Sequence, residues 1–394
     1  MAKLIEITGK AISGEWGNDD ESGTGIPVLR TTNFTNSGII DYSKVVTRDI
    51  KKKNLESKYL RYGDIIIEKS GGSDTQPVGR VVFFEGEENK YLFNNFTGLL
   101  RVADHSVCFP KYLFYFLYCN YQRGGTIPFQ NKTTGLHNLK TDDYVNRCEV
   151  PLPPLSTQKQ IAANLDKATQ TIDLCNAILE KLDLLVKARF VEMFGDPETN
   201  PLGWERVTLA DVCSSIVRGP FGSALKKDFF VEPDETTYKV YEQKHAIQKS
   251  ATIGTYYITE EKYKELKRFE CMAGDIIMSC SGTMGELYQL PVGCERGVIN
   301  QALCKFTLND RILPIVFLTF MKQTIGNLET KGSGIQNIAA VSYVKAMPVN
   351  LPPLDIQTQF AAFVAQTDKS KFAVQQVLAK AETLKKALMQ EYFG

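Results

Sequence analysis

A chain of 394 residues, 43% hydrophobic and 23% charged, exceeds one ordinary hydrophobic core and implies two or more domains. A formal net charge of +1 and a pI near 7.5 exclude a strongly basic nucleic-acid module, and no apolar run approaches the ~20 residues of a membrane span. The opening Met1-Ala2-Lys3-Leu4-Ile5-Glu6 lacks the apolar run of a secretory signal, and the nine cysteines lack zinc-ligand spacing, so a cytoplasmic protein with reduced thiols and no metal is expected.

In chain order, strand-like runs fall at residues 64–67 and 79–84, and a helical pattern at 110–121. Between them lie loops rich in Gly, Ser, Thr, Asn and Gln at 70–79 and 126–138. Pro153-Pro154 then bars a helix, Ser156 or Thr157 can cap one, and a long helical pattern runs to Phe194, where Gly195 and Pro197 stop it. A second globular stretch opens with Trp204-Glu205-Arg206-Val207, which has no tryptophan-led counterpart at the start of the chain. It carries a strand-like run at 275–278, loops at 279–285 and 332–337, and a helical pattern at 313–322 before a second long helix.

The chain is written twice. Leu152-Pro153-Pro154-Leu155 recurs as Leu351-Pro352-Pro353-Leu354, an offset of 199 (351 − 152). The same offset carries Gly135 to Gly334, Tyr144 to Tyr343, Gln158 to Gln357 and Phe194-Gly195 to Phe393-Gly394. Upstream, Gly63-Asp64-Ile65 matches Gly274-Asp275-Ile276 at an offset of 211 (274 − 63), and Ser70-Gly71 matches Ser281-Gly282. The order is variable domain (1–151), kept helix (152–195), variable domain (196–350), kept helix (351–394).

In the first helix Ile161, Leu165, Ala168, Ile172, Cys175, Leu179, Leu182, Val186 and Met193 recur in steps of four and three, broken only at Arg189. That is a coiled-coil seam. The second helix offers Phe360, Val364, Leu378 and Leu388, interrupted by Thr367, Lys371 and Lys385. A lone helix of that length cannot bury its stripe, so the two are expected to pair antiparallel, giving an α+β fold with a pseudo-two-fold repeat: two recognition domains alternating with two long helices.

Chemistry-bearing constellations are missing. The three histidines, His105, His137 and His245, sit in no triad-like or metal-binding pattern, and there is no phosphate-cradling Gly-x-x-x-x-Gly-Lys-Ser/Thr. No Asn/Asp-Pro-Pro-aromatic tetrapeptide of a DNA amino-methyltransferase occurs. The expectation is a chain that does no chemistry.

Three features together resemble the specificity subunits of Type I restriction-modification systems: the segment 150–162 with its twin at 349–362, the paired Gly-Asp-Ile motifs, and Arg218-Gly219-Pro220-Phe221-Gly222-Ser223-Ala224-Leu225-Lys226-Lys227. The resemblance covers the whole chain. It implies two target-recognition domains, each reading one half of a bipartite double-stranded DNA site, with the paired helices as a ruler. It also implies two copies of an adenine methyltransferase subunit, which would bind S-adenosylmethionine, and motor-nuclease subunits for restriction. No cofactor is expected on this chain. The competing expectation is a coiled-coil assembly scaffold without direct base readout.

Polar loop residues are the candidate base readers, since Arg and Lys pair guanine while Asn and Gln pair adenine. In the first domain these are Arg30, Thr32, Asn33, Lys69, Ser70, Ser73, Gln76, Gln130, Lys132, Thr133, His137 and Asn138. In the second they are Arg218, Ser223, Lys226, Gln243, Lys244, His245, Ser279, Ser281, Thr283, Ser333, Gln336 and Asn337.

Overall fold

The computed structural model describes residues 1–133, 136–196, 198–330 and 341–394. Four helices matter below: α1 (Pro110–Gln122), α2 (Leu155–Phe194), α3 (Pro314–Thr330) and α4 (Leu354–Phe393). The chain divides into two compact units, Met1–Asn176 with Gln376–Gly394, and Ala177–Gln375, so each unit holds part of α2 and part of α4.

In the first unit a central antiparallel sheet runs Ile12–Ser13, Thr97–Leu100, Ile65–Glu68, Val81–Phe83. Ile65, Ile66 and Ile67 are all fully buried because both sheet faces are covered. Ile65 and Ile67 point to the core built with α1 and the long helices, and Ile66 points to a core shared with Leu29, Phe93 and Leu99. A second sheet, Asn18–Asp19, Val46–Asp49, Ile26–Leu29, Leu92–Phe93, contains one parallel pair, Ile26–Leu29 with Leu92–Phe93.

The second unit repeats this plan. Its central sheet is Cys213–Arg218, Leu303–Leu308, Ile276–Ser279, Leu287–Gln289. Its second sheet again has one parallel pair, Tyr238–Tyr241 with Gly297–Ile299. The openings correspond as well. Ala2–Lys3 pairs with Glu149–Val150 as Glu205–Thr208 pairs with Pro348–Leu351, and the Leu4 and Leu209 N–H groups donate to the Cys148 and Met347 carbonyls at 2.8 and 2.9 Å. The first unit thus has a counterpart to the tryptophan-led segment, with a strand of two residues in place of four.

Two repeated motifs prove to be structural. Gly63 and Gly274 turn the chain at φ +93° and +90°, where a side chain would be strained. The buried Asp64 and Asp275 carboxylates then accept from the N–H of Arg61 (2.8 Å) and Met272 (3.0 Å), closing the same turn twice. Gln158 and Gln357 are buried amides in one shared role. Each accepts from the N–H just before a proline-led helix (Phe109 before α1, Leu313 before α3, both 2.8 Å). Each donates to two carbonyls, Val107 and Pro153 for Gln158, and Arg311 and Pro352 for Gln357, all at 2.9–3.0 Å.

Helices α2 and α4 each hold 40 residues, about 60 Å at 1.5 Å per residue. The first starts at Leu155, so Ser156 and Thr157 lie in its first turn rather than capping it, and the Pro154 carbonyl accepts from the Thr157 N–H. Within the first unit Ile161 and Leu165 share a core with Leu388 and Phe393, and the Asn164 amide donates to the Tyr392 hydroxyl at 3.0 Å. Within the second, Asp183 meets Lys371 at 2.6 Å, Arg189 lies over the Phe363 ring, and Phe190 packs on Phe360. Rising numbers on one helix meet falling numbers on the other, so the segments run antiparallel. Val364 is buried, and Ile172, Leu179, Leu182, Val186 and Leu378 are half-buried. The interruptions are accommodated: Thr367 donates to the Phe363 carbonyl at 2.9 Å, Lys371 reaches Asp183, and Lys385 lies over Tyr118.

Candidate nucleic-acid interface

In each unit three segments leave the central sheet at the same corner. In the first they are Ser13-Gly14, Lys69-Ser70 and 94–96. A Cβ on Gly14 would lie 2.1 Å from the Asn94 carbonyl oxygen, so only glycine permits this approach. The Lys69 N–H donates to the Phe96 carbonyl at 2.8 Å, and its ammonium donates to Ser13 Oγ at 2.9 Å. In the second unit the same corner joins Arg218-Gly219, Cys280-Ser281 and 300–302. A Cβ on Gly219 would lie 1.9 Å from the Asn300 oxygen, and the Cys280 N–H donates to the Ala302 carbonyl at 2.8 Å.

The frame is kept while its chemistry is exchanged. The cation sits on the sheet-exit residue Lys69 in one unit and on the neighbouring strand, at Arg218, in the other; Ser13 and Cys280 fill the complementary positions. Burial pushes the Lys69 ammonium below its usual pKa, with Asp142 opposing that shift.

The first unit brings distant predicted residues together. Gln130–Thr133 and Leu136–Leu139 form a hairpin that adds to Ser70–Gly72 as a three-stranded sheet. Ser70, Gln130, His137 and Asn138 therefore share one sheet. The His137 ring nitrogens lie 3.2 Å from Gln130 Oε1 and 3.3 Å from Asp74. Ser73 and Gln76 are exposed in the adjoining turn, where Ser73 Oγ accepts from the Gln76 N–H. Arg30 donates to the Lys44 carbonyl at 3.2 Å and Thr32 is exposed. The side chains of Lys132 and Thr133 lie outside what is described.

In the second unit Ser223 and Lys226 are exposed beyond the corner, and Thr283 is exposed on the 279–285 loop with Ser281 half-buried beside it. Gln243 and Lys244 are half-buried, the Lys244 ammonium 2.6 Å from Glu242. Ser333, Gln336 and Asn337 lie outside the described residues.

Three predicted readers are instead spent on their own backbone. Asn33 is fully buried, accepting from the Arg30 N–H and donating to the Asp41 carbonyl, both 2.9 Å. Ser279 is buried, donating to the Thr283 carbonyl at 2.6 Å and accepting from the Glu286 N–H at 3.0 Å. His245 is fully buried, Nδ1 at 2.9 Å from the Glu242 N–H and Nε2 at 2.7 Å from the Ile253 carbonyl. A buried polar side chain with filled partners has nothing left for a base.

Burial lowers the His245 pKa, so its neutral form belongs to the folded state. Its contribution to stability is complete above the unfolded value, about 6.5, and is lost as pH falls below that value toward the lower folded one. Urea unfolding between pH 7.5 and 5.5 should show this acid loss in the native chain and a shallower one in His245→Gln.

Sequence reasoning missed Arg80 and Glu68, which brace the segments that carry the first unit's candidate readers. Glu68 is 2% exposed and takes a two-pronged contact from Arg80, both arms 2.9 Å. The same guanidinium donates to the Thr31 and Phe34 carbonyls at 3.3 Å, tying the turn after Arg30 to the strand before Lys69. Arg80 immediately precedes Val81–Phe83, the strand that pairs with Ile65–Glu68, so only strand register could reveal the pair. All nine cysteines are free, and among the described residues no group of three or more His, Cys, Asp or Glu is placed to hold a metal ion. Among the described residues no helix is long and apolar enough to cross a membrane.

The family described as Type I restriction modification DNA specificity domain matches this chain twice, at residues 2–184 and 201–383. A provisionally named type I restriction enzyme MjaX specificity subunit of Methanocaldococcus jannaschii is 22% identical over 373 residues, covering 92% of this chain and 84% of its own. A similarly provisional specificity subunit of Haemophilus influenzae is 28% identical over 173 residues, 43% of this chain and 39% of its own. The solved S subunit of a Type-I restriction-modification system from M. genitalium shares the fold with a TM-score of 0.56 at 13% identity, covering 100% of this chain and 95% of that one. A chain from a structural study of type I R-M complex assembly and conformational transition gives 0.59 at 15%, covering 100% and 96%. The fold, its duplication and the doubled match place this chain in the family of Type I restriction-modification specificity (S) subunits.

Proposed function

We propose that this chain reads an asymmetric, bipartite double-stranded DNA site, one half-site per unit, and directs partner adenine methyltransferase and restriction subunits to it without chemistry of its own. The observation that carries the reading is the shared corner: one backbone frame holds different cations and polar groups in the two units, as two readers of different sequences require. Partner docking on the long helices is supported by Leu185 and Leu384, which occupy the same repeat position and stand 48% and 54% exposed. Two copies of the methyltransferase, carrying S-adenosylmethionine, fit two such positions. They would also supply phosphate neutralisation that a chain of net charge +1 lacks.

The test is co-expression with the methyltransferase subunit and genome-wide mapping of methylated adenines. The expected motif is split, asymmetric and fixed in gap length, and exchanging either unit changes only its own half. A continuous motif would overturn the bipartite reading. An assembled complex that methylates no defined sequence would leave a helical assembly scaffold.

A further inference from the structure

Each corner carries an exposed aromatic ring, on different segments in the two units: one close in sequence to its cation, the other joined to it through the backbone. In the second unit Phe221 follows Gly219-Pro220 and is 91% exposed, with Arg218, Lys226 and Lys227 close in sequence. Its counterpart by the Gly14/Gly219 correspondence is Trp16, which is half-buried under the Arg48 guanidinium at 4.1 Å. In the first unit the exposed ring is Phe96, 53% exposed, whose carbonyl accepts from the Lys69 and Ser70 N–H groups. The residue at that position in the second unit is Ala302. The corner therefore exchanges its aromatic between segments as it exchanges its cation, and presents one exposed ring each time.

A phenyl ring left in water is a standing cost that contact with apolar surface removes. Flanking cations fit a polyanionic partner, and bases offer apolar surface in two forms: the thymine C5-methyl group and the stacking face of an opened base step. Resting on the DNA-reading function above, we propose that Phe221 and Phe96 are specificity-determining residues of their units, each packing its ring against apolar base surface of its own half-site. Neither ring is part of a core, so each can be truncated without disturbing the fold.

The experiment uses the complex of this chain with its methyltransferase, carrying Phe221→Ala, Phe96→Ala or Phe221→Leu, on duplexes bearing the mapped motif. Sequence-selective binding by the native complex is the control for the underlying reading, and its failure would sink that reading whatever the variants do. With the control met, Phe221→Ala should weaken binding about tenfold or more and relax one position of the second unit's half-site. Phe96→Ala should do the same to the other half-site alone, and Phe221→Leu should retain most of the affinity. Replacing thymines by uracil one at a time should cost roughly fourfold at one position if the ring meets a methyl group, with no such cost in the alanine variant. A 2-aminopurine step that brightens on native binding and stays dark with the alanine variant would instead identify stacking. Unchanged affinity and motif in both alanine variants would overturn the proposal. So would loss of complex assembly in Phe221→Ala, which would make the ring a protein contact.

Discussion

Phe360→Ala should destabilise the second unit by about 3–5 kcal/mol, the range for emptying a buried aromatic site. Phe360 is fully buried on α4, its ring 5.5 Å from that of Phe190 and 5.2 Å from that of Phe194, both edge-on, so truncation removes packing and two aromatic contacts together. The surrounding residues come from two 40-residue helices and a sheet and cannot close the void cheaply. The chain has two tryptophans, Trp16 in the first unit and Trp204 in the second, so urea unfolding followed by fluorescence in a Trp16→Phe background reports the second unit alone. The expected result is a lower midpoint there, with Phe360→Leu recovering much of it. An unchanged midpoint would mean that α2 and α4 do not pack through this ring.

Glu68→Ala should cost the first unit about 3–5 kcal/mol, more than a surface ion pair is worth, because it strands a guanidinium whose side chain is 14% exposed. A guanidinium keeps its proton at any working pH, so the site cannot relieve itself by neutralising Arg80 once the carboxylate is gone. On the proposed bipartite reading, the first half-site should also lose definition as the Thr31–Phe34 turn and the 70–76 segment lose their common tie, while the second half-site is unaffected. Replacing both partners with methionine should restore much of the stability without restoring the reading. If Glu68→Ala changes neither the Trp16-reported midpoint nor the motif, the pair is not what holds that corner.

The pattern of duplication was legible because it is one-dimensional. Gln158 and Gln357, Gly63 and Gly274, and the seam from Ile161 to Val186 all announce themselves as matched letters or fixed spacing. Their roles were less legible. Nothing in the letter Gln says that it will be a buried amide filling the N–H ahead of a proline-led helix, because that partner lies 49 residues away for Gln158 and 44 for Gln357. The seam's interruptions misled in the other direction, since Lys371 is satisfied by Asp183 on the opposite helix, a residue that the periodicity of α4 does not contain.

The candidate interface divides in the same way. Composition picked out the polar loops, but it weighed Asn33, Ser279 and His245 equally with Ser73, Gln76, Ser223 and Lys226. Only burial separates them: the first three face inward and are consumed by backbone groups, and the others stand in solvent. The sequence by itself determined the architecture, because local periodicity, proline and glycine punctuation and an internal repeat act over short or fixed distances. The tertiary structure decided which residues meet at each corner, because that depends on strand register and on glycines such as Gly14 and Gly219 that let two backbones touch. Such contacts are made between segments far apart in the chain, and no local preference encodes them.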